Sequence, residues 1–258
     1  MLELEQLILG HGYVQMRLTD EDRKWLRAQY PLLQVKKNEA EEISIEGLLN
    51  FHAYYDLSKD VYIFNPTGKG LNKKYDVTDS YEILITSPSP GDILPIIAET
   101  KGRILSFAKA HKLMACDLHI DIHGICCLCP KLFDIIQYPK GISIRDFMYD
   151  LVIPFFYAQS FFETYRDWPA GAYSHGDLGI LEYYAELVSD GYPVINFVGK
   201  FFDSLESKNQ KLITDSAVIS RQWQCICGKG AKFRHCHPKA MNGLRQLKSG
   251  YEQYKQRQ

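Results

Sequence analysis

VYIFNPTGKGLNKKYDVTDSYEILI, residues 61–85, sets the fold class. Val61-Tyr62-Ile63-Phe64 and Tyr81-Glu82-Ile83-Leu84-Ile85 are rich in β-branched and aromatic residues, which suit a pleated, half-buried surface. Turn formers bound these runs: Asn65-Pro66-Thr67-Gly68, then Asp76 to Ser80, then Ser87 to Gly91. Upstream, Ile43, Ile45, Leu48 and Phe51 begin the same pattern. The region from about Glu42 to Ile97 therefore reads as an antiparallel meander. Strands followed by a run of helices give an α+β class.

Helical signals flank the meander. Thr19 to Tyr30 reads as a short helix capped by Thr19 or Asp20, with Leu26 and Tyr30 on one face and Pro31 as its stop. Pro88, Pro90 and Pro95 keep the next segment extended, and a short helix follows around Leu105 to His111. Ser143-Ile144-Arg145-Asp146 resembles a capping box with Asp at its third position, and opens a helix to about Tyr165. Pro154 lies inside that helix and predicts a kink, because proline has no N–H to donate. Gly176-Asp177 starts another helix, Leu178 to Val188. Residues 199–222 read as a helical linker, and a compact tail begins near Trp223. The expected organisation is residues 1–40 as an N-terminal helical segment, 41–198 as the main domain, then the linker, then 223–258 as the tail.

Composition narrows the function classes. Hydrophobic residues make up 46% of the 258, enough for a sizeable core, and charged residues 24%. The formal net charge is -1, so bulk charge points neither to nucleic acid nor to a membrane. The tail alone is basic. The start, MLELEQLILGHGY, is acidic where a secretory signal is basic. The uncharged run Leu151 to Phe162 is too short for a membrane-spanning helix of about 20 residues. The seven cysteines fall in two clusters, at 116–129 and 225–236, and without a signal peptide they argue for chemistry or metal binding over cross-links. A cytoplasmic, membrane-free location is expected.

The tail carries the strictest spacing: Cys225-Ile226-Cys227-Gly228-Lys229-Gly230-Ala231-Lys232-Phe233-Arg234-His235-Cys236-His237. Zinc takes four thiolate or imidazole ligands in a tetrahedron. A Cys-x-Cys pair spans one edge, the glycines let the chain turn, and Cys236-His237 closes the other. Cys225, Cys227, Cys236 and His237 are the expected ligands, with His235 the alternative fourth. With all positions filled, the zinc is structural. The pattern resembles the SEC-C motif, the zinc tail of the bacterial preprotein translocase motor, over about fifteen residues.

The centre reads His119-Ile120-Asp121-Ile122-His123-Gly124-Ile125-Cys126-Cys127-Leu128-Cys129-Pro130. A helix, a meander, an extended proline segment, a His-led loop to a Cys-Leu pair and further helices follow the order of ubiquitin-conjugating enzymes. Gly124-Ile125-Cys126-Cys127-Leu128 overlays their Gly-x-x-Cys-Leu. A nearer resemblance is to the conjugating-enzyme-like proteins of bacterial antiphage operons of the cyclic-oligonucleotide (CBASS) kind. The shared pieces are His119, Gly124, Cys127, Leu128, Pro154, Trp168-Pro169-Ala170-Gly171 and His175-Gly176, over roughly residues 40–190. The resemblance implies a ubiquitin-conjugating-like fold and a transferase. Cys127 would carry the C-terminus of a partner protein, a nucleotidyltransferase or ubiquitin-like protein, as a thioester and pass it to an amine of an acceptor. His119 would organise the loop, and His175 would act as acid/base or positioning group. No Pro-Asn follows His119, so Asp121, His123 or a backbone N–H would stabilise the oxyanion.

Other readings share these residues. Cys126 suits a core, Cys129 is a third neighbouring thiol, and the cysteines and histidines from Cys116 to Cys129 are a conceivable second metal site. An inactive conjugating fold would serve as a docking module with the zinc tail as a second surface. Nucleic-acid binding by the basic tail rests on charge alone. Gly68-Lys69-Gly70 lacks the Walker spacing, so activation of the partner falls to another protein or is bypassed.

Overall fold

The computed structural model describes residues 18–38, 42–67, 71–89, 92–216, 218–220 and 222–257. Residues 1–17 of the expected N-terminal segment, the Gly68-Lys69-Gly70 run and Pro90-Gly91 lie outside them. The architecture is α+β: an antiparallel sheet packed with helices, and a cysteine–histidine cluster near the C-terminus. The chain forms two compact units, residues 1–129 with 133–171, and residues 130–132 with 172–258. Among the described residues no helix is long and apolar enough to cross a membrane.

In the first unit, helix α1 (Asp20–Gln29) starts at Thr19, whose hydroxyl accepts from Asp22 N–H while Asp22 accepts from Thr19 N–H, a full capping box. Leu26 and Tyr30 are buried, as their shared face predicts. Strands β1 (Leu33–Lys37), β2 (Ile43–Asp56), β3 (Val61–Phe64), β4 (Asp76–Thr86) and β5 (Ile96–Glu99) form one sheet. The order is β1-β2-β4-β5, with β3 paired to the far half of β2 on the same side as β1. Every pairing is antiparallel.

Alternation along the two long strands builds the core. Leu49, Phe51, Ala53 and Tyr55 of β2 and Tyr81, Ile83 and Ile85 of β4 are buried. The run Asp76 to Ser80, polar enough to read as a turn, is the first half of β4, with Asn50 facing Ser80 and Tyr54 facing Asp76. Tertiary bonds override its local preference. The Arg103 guanidinium donates to both Asp79 oxygens at 2.9 and 2.7 Å and to the Ser80 carbonyl at 3.1 Å. It also grips both Glu163 oxygens, the shortest bond being 2.8 Å. Ser160 Oγ donates to Asp79 at 2.6 Å. Burial pushes the Asp79 carboxyl up, but these hydrogen bonds outweigh it and hold the group below its usual range.

Helix α2 (Arg103–Ala110) follows β5. After it, α3 (Phe133–Gln137) and α4 (Ile144–Asp146) lead into the long helical segment. Ser143 caps α4 through the N–H of Asp146. The segment does not break at Pro154. A π-helical stretch, Phe147–Val152, precedes α5 (Ile153–Tyr165), and Ile153 N–H bonds the Met148 carbonyl five residues back. The wider turn is how the chain passes a residue that cannot donate. Phe147, Met148, Val152, Phe156 and Tyr157 are buried in the first unit's core.

The second unit is helical: α6 (Asp177–Ser189), α7 (Val198–Asp203), α8 (Ser207–Thr214), α9 (Phe233–Cys236) and α10 (Pro238–Lys255). The stretch read as a linker contributes Phe201 and Ile213 to this core. Asp177, itself buried, accepts from Glu206 N–H at 2.8 Å and Asn209 Nδ2 at 2.6 Å, tying α6 to the start of α8. Helix α10, which the sequence reading left inside a generic tail, packs along α6. Their backbones meet at Gly243, where a Cβ would stand 1.9 Å from the Leu181 carbonyl oxygen.

Gly243→Ala therefore forces α6 and α10 apart. We expect a loss of about 2–3 kcal/mol, the cost of overpacking a closed interface, seen as a lower midpoint in thermal or urea denaturation. A variant as stable as wild type would show that the two helices do not pack this closely.

Candidate functional site

Strand β5 ends at Glu99, and the chain returns to its free edge at residues 124–126. Glu99 N–H donates to the Gly124 carbonyl at 2.8 Å, and Cys126 N–H donates to the Ile97 carbonyl at 2.8 Å. Ala98 faces Ile125 in an antiparallel bridge. Only glycine fits at 124, where φ is +86° and a Cβ would lie 2.5 Å from the Glu99 carbonyl oxygen. Glu99 is 3% exposed, and its carboxylate accepts from Lys101 N–H at 2.7 Å and Ile104 N–H at 3.3 Å at the start of α2. The loop thus rests on a strand end that is itself fixed.

Strand-like alternation then decides which thiol faces out. Ile125 is exposed, Cys126 is 8% exposed and part of the core, and Cys127 is exposed. Burial raises the Cys126 thiol far above its ordinary range. Burial also raises Cys127, and among the described residues no cation or imidazole pulls it down. Exposure and desolvation are compatible here: part of the residue reaches solvent while the sulfur sits low, 3.8 Å from the Cys129 carbonyl oxygen. Cys129 is half-buried and likewise raised by burial.

The other expected residues fall into three groups. His119 has a left-handed backbone, φ +53°, at the end of the 3-10 turn Ala115–Leu118. Its carbonyl accepts Cys127 N–H at 2.7 Å, and its ring meets Trp168 edge to face at 5.6 Å. Loop and thiol are therefore linked through His119's backbone. Asp121 is occupied: Oδ1 accepts from His123 N–H and Ile125 N–H, both at 2.8 Å. It closes the turn between the Ile120 and Cys126 bridge partners. His175 belongs to the second unit, half-buried in the approach to α6, between Ser174, which donates to Glu182, and Gly176. Glu99 had escaped the sequence reading, since an isolated glutamate at a strand end carries no signature.

In the second unit, a hairpin presents the candidate metal ligands. Cys225 N–H donates to the Ala231 carbonyl at 2.8 Å, Gln224 bridges Lys232, and Phe233 N–H returns to Trp223 at 2.9 Å. Gly228 and Gly230 make the turn with φ +78° and +74°. Cys236 ends α9, and His237 precedes α10. The ligand atoms of Cys225, Cys227, Cys236 and His237 lie within 4.8 Å of one another. Cys227 and Cys236 Sγ are 3.6 Å apart, and Cys225 Sγ lies 3.1 Å from His237 Nδ1. A disulfide needs about 2.05 Å, whereas tetrahedral zinc with bonds of about 2.3 Å spaces thiolates roughly 3.7 Å apart. The four side chains can hold a metal ion. Lys229 N–H donates to the Cys227 sulfur and lowers that thiol by favouring its thiolate. His235 points elsewhere and accepts from Arg234 Nε at 2.9 Å. Among the described residues no other group of cysteine, histidine or carboxylate ligands gathers this way, including the stretch from Cys116 to Cys129.

No protein-family model, curated protein or solved structure matches this chain.

The geometry fixes an order of thiol reactivity. Alkylation should mark Cys127 while Cys126 stays protected, with a Cys127 rate still climbing at pH 9, because its thiol titrates above the ordinary value of 9.0. Gly124→Ala should cost about 2–4 kcal/mol through clash and left-handed strain and open Cys126 to the reagent. Peptide mapping reads both thiols, and equal labelling in wild type would refute the alternation.

Proposed function

We propose that Cys127 is the acceptor thiol of a ubiquitin-conjugating-like transferase. It takes the C-terminal acyl group of a partner protein as a thioester and releases it to an amine. The observation that carries this reading is the presentation of Cys127: a backbone-clamped loop turns one thiol outward while its neighbour joins the core. The order of helix, antiparallel meander, loop and long helix agrees with the resemblance drawn from the sequence. Ile122 at 78%, Ile125 at 41% and Met114 at 64% exposure put apolar side chains near the thiol in sequence, as a protein-binding surface requires.

In the forward step the Cys127 sulfur attacks the activated carbonyl of the partner's C-terminus and the activating group leaves. In the second step an amine attacks the thioester, loses a proton, and the thiolate departs. A raised thiol is a poor resting thiolate, so the first step waits on a protein that delivers a strongly activated acyl group. Asp121 Oδ1 accepts two backbone N–H bonds in the turn and an ionised carboxylate donates none, so His123 or backbone N–H groups would be the oxyanion donors. The setting that the resemblance implies is antiphage defence.

A second reading rests on that same inventory. With no group lowering Cys127 and Asp121 engaged, the fold serves equally as a docking adaptor. Mass spectrometry of protein recovered from its host without reductant separates the two. A hydroxylamine-labile adduct present in wild type, Cys126→Ala and Cys129→Ala but lost in Cys127→Ala supports transfer. Full biological function in Cys127→Ala with no adduct in wild type leaves the adaptor.

The tail cluster is read as a structural Zn2+ site. The full chain should carry one zinc, and Cys236→Ala should lose most of it. Chelation should lower the thermal midpoint, because ligand binding to the folded state is folding free energy. Metal-free protein with an unchanged midpoint would contradict a structural role.

A further inference from the structure

Between Asp215 and Glu252 the chain has no acidic residue, yet it carries Arg221, Lys229, Lys232, Arg234, Lys239, Arg245 and Lys248. Two of these have salt-bridge partners: Lys239 pairs with Glu186, and Lys248 with Glu252. Arg234 and Arg245 have none among the described residues. Both line one cavity of about 270 Å³, together with Pro238, Met241 and Asn242.

The cavity follows from helix periodicity. Pro238, Met241, Asn242 and Arg245 recur at i, i+3, i+4 and i+7, one face of α10. Arg234 comes from α9, two residues before Cys236, so the cysteine–histidine knuckle fixes its backbone. Arg245 donates Nε and Nη2 to the Ile219 carbonyl at 3.3 and 3.0 Å, which orients its plane, and among the described residues Nη1 has no hydrogen-bond partner. Among the described residues Arg234 donates through Nε alone, to the His235 ring. Both forks keep donors for a ligand, and Asn242 adds an amide. Two guanidinium groups with no salt-bridge partner among the described residues, around one small space, match a dianion with three or four acceptor oxygens. A carboxylate, planar and singly charged, would satisfy only one fork. The volume sits below the range of about 300–1,000 Å³ for drug-sized ligands.

We propose that this cavity is a binding site for a phosphate dianion, as the free ion or the terminal group of a small phosphomonoester. It is independent of Cys127.

The test titrates the zinc-loaded full chain with inorganic phosphate, glycerol 3-phosphate or acetate at constant ionic strength, following backbone amide shifts of Met241 and Asn242. Saturable shifts with phosphate, at least about tenfold weaker with acetate, are expected. Asn242→Asp places a carboxylate in the cavity and should weaken phosphate at least about tenfold with zinc content unchanged. Arg234→Gln should do the same by removing one fork. Tighter glycerol 3-phosphate assigns the monoester and tighter phosphate the free ion; either upholds the site. Linear, unsaturable shifts, equal response to acetate, or unaltered phosphate binding in both variants would overturn it and leave the arginines as counter-charges to the thiolates.

Discussion

The contact between Gly124 and the Glu99 carbonyl governs the first unit's chemistry. Because no side chain intervenes there, the loop can lie on β5 closely enough to exchange two backbone hydrogen bonds. Once those form, the alternation of a strand leaves no choice: Cys126 turns in and Cys127 turns out. Glu99 is held by its carboxylate at the start of α2, and α2 by Arg103, which grips β4 and α5 together. The exposed thiol is thus the last link of a chain of fixed backbones.

Arg103 shows why the polar start of β4 misleads a local reading. Asp76 to Ser80 have turn propensity, but Asp79 and Ser80 find a guanidinium, and Asn50 to Tyr54 supply a ladder partner. The features that were legible are those whose physics is local: the Thr19 cap, the Ser143 cap, the β-branched runs, and the zinc-type spacing, whose ligands converge without help from distant residues. Those that were not legible depend on distant partners. The π-turn before Pro154, the packing of α10 on α6 through Gly243, and the strand-end Glu99 have no signature outside the folded chain. Asp121 had the right chemistry for a catalytic role and the right position for a turn, and in the fold the turn claims it.

The second unit divides its charge similarly. Three cysteines concentrate negative charge once a metal displaces their protons, and a basic surround lowers that cost. Lys229 bonds the Cys227 sulfur through its backbone N–H, whereas Arg234 and Arg245 line a separate cavity.

The two sides of the sheet are closed by different means, and this bears on solubility. One side is broken into the lysine-bearing β1 and the four-residue β3, both poor templates for pairing with another chain. The other side, at β5, is covered among the described residues by 124–126. The segment that displays the thiol is also the cover over a bare strand edge. Lesions that unseat it would therefore register in a cell first as aggregation and loss of protein level, and only secondarily as loss of activity.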